Sequence, residues 1–484
     1  MVEITMTTPL YVTTTIPYVN ASPHVGFALE LVQADALARY HRLSGREVRF
    51  QTGTDDNAFS NVLSARLRSL PVEDFVEENS AAFQTLCAAL DISNDRFLRT
   101  TEAVHHRAVR SFLSNLPSDD TYVASYRGLY CPRCEDFYRD RDTSGRRCPE
   151  HGVELEEIEE TNHFFRLSRY QAVLHDLISS RRLEVVPRVR EREILRFIDG
   201  GLHDFSISRC AARSGGWGVP FPNAPDQVVY VWVDALVNYL TGLGFPDGGE
   251  LRRFWTSGSE RVHVIGKNVW KFHAIYWPAL LISAGLDLPD RVFVHGFLTE
   301  DGRKISKSAG NAADPARYVA TFGVDAVRYC LLAHTRPFED TDFSARLIER
   351  VYRADLANTL GNLCTRLTAL CEVAGVSGVT LDARLSAPQG YREHLEGFRF
   401  DLAAAGLWKS LRELNREIAE ERPWESLKAG GGVAVSSKLS DWALRLCTVA
   451  HWLRPFVPST ASEIERALTA SQIHKCRPLF PRLR

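Results

Sequence analysis

The chain has 484 residues, of which 45% are hydrophobic and 24% are charged, and its formal net charge is −2. This length exceeds what one hydrophobic core usually organises, so we expect several domains. No run of about 18 apolar residues occurs, which excludes a membrane-spanning helix. The small net charge excludes a chain-wide field for polyanions, so a nucleic-acid surface would be a local patch. The first residues lack the basic and apolar regions of a signal peptide, and we expect a cytoplasmic protein without a membrane partner.

The first predicted element is a strand at residues 10–16, where the sequence LYVTTTI is apolar and β-branched. A loop marked by Pro17 and Pro23 follows, and residues 25–43 have the pattern of a helix. Further apolar runs predict strands separated by helices, at residues 47–54, 228–233, 262–266 and 291–297. Short buried strands that alternate with helices are typical of a parallel, doubly wound sheet. The predicted fold class is therefore α/β with a Rossmann-type sheet.

Two segments depart from this alternation. Residues 116–225 contain a cysteine cluster and a charged run, and we predict that they form an inserted domain. From about residue 346 the pattern becomes helical with almost no strand signal, which predicts a C-terminal α-helical bundle. The predicted domains are the first half of the Rossmann domain at 1–115, the insertion at 116–225, the second half at 226–345 and the helical domain at 346–484.

Four residues of the insertion have the spacing of metal ligands. Cys131 and Cys134 form a CxxC pair, and Cys148 and His151 form a CxxH pair. Thiolate and imidazole ligands at these spacings suit tetrahedral Zn²⁺. Four protein ligands leave no open coordination position, so the predicted zinc is structural and shapes a knuckle. The alternative is a group of buried thiols without metal.

Two segments carry groups that suit phosphates. The predicted helix begins beside His24, and the free N–H groups at a helix N-terminus favour an anion, while Gly26 leaves the backbone accessible. Only 8 of the 58 Lys and Arg residues are Lys, yet Lys304 and Lys307 share one Gly- and Ser-rich loop. Two mobile ammonium groups suit a departing pyrophosphate. A structural histidine and a solvated loop are the alternatives.

These segments resemble the signature motifs of a known family. PHVGF at 23–27 and KISKS at 304–308 resemble the HIGH and KMSKS motifs of class I aminoacyl-tRNA synthetases. The similarity covers nearly the whole chain and is most marked for methionyl-tRNA synthetases. It is carried by IPYVNASPHVG, FQTGTDD, GLYCPRCEDFY, FFRLSRY, WGVPFP, YVWVDALVNYL, VIGKNVWKFHAIYWPALL and FLTEDGRKISKS. The resemblance implies a ligase that activates an amino acid, methionine or a related one, with ATP and Mg²⁺ and transfers it to tRNA.

The resemblance also implies roles for individual residues. His24, Lys304 and Lys307 would act on the ATP phosphates by electrostatic catalysis without a covalent enzyme intermediate. Asp55 would pair with the α-ammonium group, and aromatic walls would suit an unbranched thioether. The implied ATP contacts are His24, Gly26, Phe27, Gly266, Lys267, Asn268, Lys304, Ser306 and Lys307. The implied substrate pocket is Ile16, Tyr18, Asp55, Trp232, Ala235, Tyr239, Phe272, His273 and Trp277.

The same resemblance makes the helical domain similar to an anticodon-binding domain. Asn362, Arg366 and Trp424 match the positions that read the anticodon in the family. A base stacked on Trp424, with hydrogen bonds from the other two side chains to base edges, suits single-stranded RNA. Helix capping and core packing are the alternative roles. We expect a monomer, because the extra C-terminal dimerisation module of some relatives is not seen.

Three motifs depart from the pattern of the family. The second His of HIGH is Phe27, the TDEHG motif reads TDDNA at 54–58, and the GKD motif ends in Asn268. Losing a donor aimed at developing charge typically costs about 10²- to 10³-fold in rate. A second hypothesis is therefore a diverged ligase that acylates a small hydroxylated amine, as the methionyl-tRNA-synthetase-like domains of hydrazine synthetases do. A third hypothesis is a non-catalytic tRNA-binding module.

Overall fold

The apolar runs of the sequence form the strands of a parallel sheet in the computed structural model. The model describes residues 8–131, 135–138, 143, 145–149, 152–256, 258–300, 303–305, 314–381, 386–430 and 432–483. The strands are β1 (Leu10–Thr14), β2 (Val48–Thr54), β3 (Arg96–Arg99), β4 (Thr121–Cys131), β5 (Asp136–Tyr138), β6 (Glu156–Phe165), β7 (Glu184–Val186), β8 (Phe205–Ser206), β9 (Ser208–Cys210), β10 (Gln227–Val229), β11 (Glu260–Gly266), β12 (Arg291–His295), β13 (Leu298–Glu300), β14 (Arg303–Lys304) and β15 (Thr341–Asp342).

Helices connect these strands and form the C-terminal part of the chain. They are α1 (Val25–Leu43), α2 (Phe59–Leu67), α3 (Val72–Ala89), α4 (Ala103–Ser114), α5 (Gln171–Ser179), α6 (Arg188–Asp199), α7 (Ala211–Ser214), α8 (Val231–Thr241), α9 (Gly249–Phe254), α10 (Trp277–Ser283), α11 (Pro315–Phe322), α12 (Val324–Ala333), α13 (Ala345–Val351), α14 (Asn362–Ala374), α15 (Tyr391–Glu396), α16 (Phe400–Glu421), α17 (Pro423–Lys428), α18 (Gly432–Leu453) and α19 (Pro458–Thr469). Two π-helical segments, Phe272–Tyr276 and Tyr352–Gly361, precede α10 and α14. Within the described ranges, no helix is long and apolar enough to cross a membrane.

Six strands form one parallel sheet in the order β3-β2-β1-β11-β12-β7. Every residue of β1 is buried, because helices cover both faces of a sheet of this kind. The order runs outward in both directions from the neighbouring pair β1 and β11. This is the topological switch point of a doubly wound sheet, where ligands bind at the carboxyl ends of the strands. The predicted Rossmann-type fold class is confirmed, with helices in the C-terminal part of the chain.

The strand predicted at residues 228–233 is mostly wrong. Only β10 is extended, and it pairs antiparallel with β9 instead of joining the six-stranded sheet. The chain becomes helical at α8, whose side chains are almost all buried. A helix that is apolar on every side has no 3.6-residue pattern, so a short apolar run of this kind cannot be distinguished from a buried strand by periodicity.

The predicted insertion contains an antiparallel sheet of its own, in the order β5-β4-β6-β8. β4 and β6 form its long central pair. Within the same predicted range, β7 pairs in parallel with β12 and so belongs to the six-stranded sheet. The predicted domain boundaries stay a prediction.

The described residues form two compact units. Unit 1 consists of the described parts of Met1–Pro23, Gly45–Cys87 and Asn94–His295, and holds the six-stranded sheet and the insertion. An apolar cluster of buried residues packs the sheet against α4, α8 and α10. Unit 1 therefore has its own hydrophobic core.

Unit 2 consists of the described parts of His24–Ser44, Ala88–Ser93 and Gly296–Arg484. Within it, α1 packs against α12 and α15. A buried ion pair joins two of these helices, since Arg328 donates to Asp35 at 2.6 Å. Burial raises the pKa of the Asp35 carboxyl, but the guanidinium groups of Arg328 and Arg39 overcome this effect and lower the pKa below its ordinary value. The ion pair fixes the helix that begins at the predicted phosphate-binding segment.

Candidate active site

The predicted amino-acid pocket lies in unit 1 at the carboxyl ends of neighbouring strands. Ile16 and Tyr18 follow β1, and Asp55 follows β2. Backbone contacts join the two loops. The N–H of Asp55 donates to the carbonyl of Pro17 at 2.9 Å, and the backbones of Tyr18 and Asp55 form an isolated parallel β-bridge. Parallel neighbours end at the same edge of a sheet, so residues far apart in sequence come together there.

Aromatic rings predicted for the pocket pack on one another. The rings of Trp232 and Phe272 stack with centroids 3.7 Å apart and an interplanar angle of 5°. The ring centroids of Tyr18 and Trp232 lie 5.8 Å apart, and those of Tyr239 and Trp277 lie 6.2 Å apart. The spacing of Trp232, Ala235 and Tyr239 places them on one face of α8. This arrangement forms an apolar wall with the small Ala235 side chain between two rings.

The hydroxyl of Tyr239 and the imidazole of His273 form a polar point within this wall. The hydroxyl lies 2.7 Å from Nε2 of His273, and Nδ1 of the same ring lies 3.0 Å from the carbonyl of Val269. A carbonyl only accepts, so Nδ1 carries a proton, and in the neutral ring Nε2 accepts from Tyr239. The Tyr239 ring also stacks on His263 at 4.2 Å. The structure therefore brings the predicted Tyr239 and His273 together.

Asp55 has the surroundings of a carboxylate that awaits a cation. Its side chain is fully buried, and Oδ1 accepts from the N–H of Asn57 at 3.2 Å. Oδ2 has no hydrogen-bond partner within the described residues, and neither has the hydroxyl of Tyr18. Burial raises the pKa of the Asp55 carboxyl well above its ordinary value of 3.8, and neighbouring carboxylates, first that of Asp234, raise it further. A bound ammonium group would relieve both effects.

A buried polar network next to Asp55, formed by Asn57, Asp234 and His105, was not predicted from the sequence. The side-chain amide of Asn57 donates to Oδ2 of Asp234 at 2.7 Å and to the carbonyl of Thr100 at 3.1 Å. The other oxygen of Asp234 lies 2.7 Å from Nε2 of His105. One signal was available, since Asp234 is a single carboxylate within the apolar run VWVDALV. Such a residue in a buried helix needs a partner.

The segment GKN closes the carboxyl end of β11. Gly266 is the last residue of the strand, and a Cβ at this position would lie 3.1 Å from the side-chain oxygen of Asn268. Asn268 is exposed and Lys267 is half-buried. The strand end therefore presents backbone and a neutral amide where the family pattern has an aspartate.

In unit 2, His24 is the N-cap of α1 and its side chain turns back onto the helix. Nδ1 of His24 accepts from the N–H of Gly26 at 3.0 Å, so a neutral ring carries its proton on Nε2. A Cβ at Gly26 would lie 2.8 Å from this ring, so glycine is what permits the capping geometry. Phe27, in the first turn, is buried. The α1 N-terminus thus has a histidine held in one tautomer.

The second predicted phosphate-binding segment is only partly described. The backbone of Lys304 belongs to β14, which pairs antiparallel with β13, and Thr299 is its partner. Ile305 continues the pairing through its N–H, which donates to the carbonyl of Leu298 at 3.1 Å. Ser306 and Lys307 lie outside the described residues.

Two of the four predicted zinc ligands are described. Cys131 and Cys148 are buried in one small cluster with Leu129 and Leu155. Cys134 and His151 lie outside the described residues, so no group of three metal-binding side chains is found among those that are described. Two buried thiols in one cluster fit a metal-binding knuckle.

The predicted anticodon positions lie on two helices of unit 2 that pack together. Asn362 is exposed on α14, and Trp424 is half-buried on α17. Arg366 donates to the side-chain oxygen of Asn415 at 2.7 Å, and burial lowers the pKa of its guanidinium. Arg422, in a left-handed conformation, separates α16 from α17 and thereby sets the position of Trp424.

Comparison with known proteins gives a consistent assignment. The chain matches the family model described as tRNA synthetases class I (M) over residues 10–157 and 151–368. The methionine–tRNA ligase of Thermosynechococcus vestitus is 39% identical over an alignment 484 residues long. The alignment covers 96% of this chain and 89% of that protein. The methionine–tRNA ligase of Mycobacterium tuberculosis is 38% identical over 479 residues, which cover 94% of this chain and 91% of that protein.

Solved structures agree with this result. The crystal structure of Mycobacterium tuberculosis methionyl-tRNA synthetase bound by methionyl-adenylate matches with a TM-score of 0.91 at 35% identity, covering 98% of this chain and 100% of that chain. The apo form of that enzyme matches with a TM-score of 0.84 at 34% identity, covering 98% of each chain. The chain belongs to the methionyl-tRNA synthetase family of the class I tRNA synthetases. The resemblance inferred from the PHVGF and KISKS motifs is confirmed.

Proposed function

We propose that this chain is an ATP-dependent ligase that converts methionine into methionyl-adenylate and transfers the methionyl group to tRNA. The observation that carries the proposal is Asp55, a buried carboxylate with one oxygen unpartnered in an aromatic pocket. An α-ammonium group supplies the missing positive charge and hydrogen-bond donors. The unpartnered hydroxyl of Tyr18 is a second acceptor for the same group.

The pocket walls support methionine as the amino acid. Stacked Trp232 and Phe272 offer a flat apolar surface, and the small side chain of Ala235 lies on the same face of α8 as Trp232. Thioether sulfur makes favourable contacts with aromatic rings. The Tyr239 hydroxyl, held by His273, adds one polar group that can face the sulfur. Charged and larger polar side chains would lose their hydration without gaining partners.

The residues predicted to bind ATP support adenylate formation. The positive dipole end of α1 and the Nε2 proton of His24 suit phosphate oxygens, while Lys304 and Lys307 neutralise the departing pyrophosphate. Gly266, Lys267 and Asn268 would hold the adenosine. Mg²⁺ would neutralise the phosphate charge of the bound nucleotide. The methionine carboxylate then attacks the α-phosphate, and the bond to pyrophosphate breaks.

Zinc in the insertion and the anticodon contacts complete the proposal. Cys131, Cys134, Cys148 and His151 would hold a structural Zn²⁺ that fixes the local fold. Asn362, Arg366 and Trp424 would contact unpaired bases of the tRNA anticodon. The amide of Asn362 is exposed and the side chains of Arg366 and Trp424 are half-buried, so RNA could reach all three.

The first experiment is ATP–pyrophosphate exchange with each of the twenty amino acids, followed by charging of bacterial tRNA. We expect exchange with methionine and methionylation of tRNA. Absence of exchange with methionine would contradict the proposed substrate. Exchange without charging would contradict the tRNA acceptor and favour the hypothesis of a diverged ligase with a small hydroxylated amine as acceptor. Asp55→Asn should abolish exchange, and Asp247→Asn, at an exposed position, is the matched control.

A further inference from the structure

Two cysteines of unit 2 face each other although they are 112 residues apart in the chain. Cys364 lies on α14, and Cys476 lies in the segment that follows α19. Their sulfur atoms are 3.4 Å apart, and both side chains are free thiols. A small closing movement would bring the sulfurs to bonding distance.

The backbone around Cys476 is fixed on the helical domain on both sides of the cysteine. Before it, the N–H of Ile473 donates to the carbonyl of Val376 at 3.1 Å. After it, the carbonyl of Pro481 accepts from the hydroxyl of Tyr352 at 2.6 Å. The two sulfurs are therefore held against each other by several independent contacts.

The two thiols differ in access and in acidity. Cys364 is fully buried, whereas Cys476 is half-exposed. The hydrogen bond from Cys364 lowers the pKa of the Cys476 thiol to about 6, burial opposes it, and the hydroxyls of Thr368 and Thr365 assist it. The same hydrogen bond raises the pKa of Cys364. The lowered pKa of the reachable Cys476 thiol favours its thiolate, the form that attacks disulfides.

Charged residues of both signs lie near the pair. Glu463, on α19, raises the pKa of both thiols. The residues flanking Cys476 in the chain are Lys475 and Arg477, and both are exposed. Positive charge beside an accessible thiolate is typical of reactive cysteines.

We propose that Cys364 and Cys476 form a redox modification site that closes to a reversible disulfide by exchange with small-molecule disulfides such as oxidised glutathione. The Cys476 thiolate attacks one sulfur of the small disulfide, forms a mixed disulfide and releases one small thiolate. That thiolate takes the proton of Cys364, whose sulfur attacks Cys476 and expels the second small thiolate. The two protein sulfurs lose two electrons, and the small disulfide gains them. The new bond fastens residues 471–483 to α14.

The test is a peptide map of the intact, folded protein after equilibration in buffers of oxidised and reduced glutathione and quenching with acid. Trypsin releases Cys364 in the peptide ADLANTLGNLCTR, residues 354–366, and Cys476 in CRPLFPR, residues 476–482. Each peptide contains a single cysteine, so a linked mass identifies the bond. We expect these two peptides to be linked in oxidising buffer and separate in reducing buffer.

Variants distinguish this bond from general thiol oxidation. Cys371→Ala, at another buried thiol of α14, should leave the linked peptide pair unchanged. Cys364→Ala should leave Cys476 as a glutathione adduct, and its Tm should not rise on oxidation as the Tm of the wild-type protein does. A folded wild-type protein that shows only the glutathione adduct, or no reaction at Cys476, would overturn the proposal.

Discussion

The side-chain amide of Asn57 donates to a carboxylate oxygen of Asp234 at 2.7 Å and joins two positions that are 177 residues apart. The family pattern has a histidine at position 57, so this chain replaces a titratable ring with a neutral amide. The N–H of Asn57 also donates to Asp55, so one residue contacts both buried carboxylates. Asn57 therefore holds two carboxylates in place, that of Asp55, which we propose to bind the α-ammonium group, and that of Asp234, which raises the pKa of Asp55.

We expect Asn57→Ala to destabilise unit 1 and to weaken methionine activation. The substitution removes donors to Asp234 and Thr100, and a buried acceptor left without its partner costs about 1 to 3 kcal/mol. Urea denaturation measures the loss, and pyrophosphate exchange should show a higher KM for methionine. Asn115→Ala, at an exposed helix end, is the control and should change stability by less than about 0.5 kcal/mol. Equal effects of the two variants would contradict the role of Asn57.

Asp55→Asn should have opposite effects on stability and on binding. Without ligand, the buried carboxylate is costly, because burial and its acidic neighbours raise its pKa. The neutral amide removes this cost, so the Tm of the ligand-free protein should rise at neutral pH. The partner of the ammonium group is lost at the same time, so methionine should no longer raise the Tm. A variant that loses both stability and binding would show that Asp55 is structural.

The sequence predicted the sheet because its strands are buried on both faces and appear as apolar runs. It did not predict β7, since three residues within an insertion carry no local signal of their pairing with β12. The apolar run at α8 was misread for a related reason, because a fully buried helix looks like a buried strand.

In the candidate site, too, local sequence indicated some residues but not the long-range contacts between others. The resemblance to the family indicated Asp55 and the aromatic pocket, because the motifs that carry the resemblance are recognisable in the local sequence. The contacts of Asp234 with Asn57 and His105 depend on pairings over 177 and 129 residues. Such pairings are set by the tertiary fold and are not visible in local patterns.

The affinity for methionine should increase with pH over the range in which Asp55 ionises. Its pKa is raised in the ligand-free protein, so the ammonium group binds to a carboxyl that must first lose a proton. The proton on the buried Asp55 carboxyl stabilises the folded, ligand-free protein. This contribution to the free energy of unfolding is fully present below the ordinary pKa of an aspartate, and it is lost as the pH rises through the raised pKa of Asp55. Calorimetric titration in two buffers of different ionisation heat measures the released proton. The limiting slope is about tenfold in Kd per pH unit, and a Kd for methionine that does not change with pH in the wild-type protein would contradict the assignment.

The zinc proposal predicts the metal content of the purified protein. Cys131 and Cys148 lie in one cluster with Leu129 and Leu155, so an ion bound to both thiols would join the two parts of the insertion that carry them. We expect about one zinc per chain by elemental analysis. Cys148→Ser should lose the zinc and expose the insertion to proteases. Cys210→Ser, at a half-buried thiol outside the proposed ligand set, should keep the zinc and the resistance to proteases. A folded wild-type protein without zinc would show that Cys131 and Cys148 are buried thiols that pack without a metal.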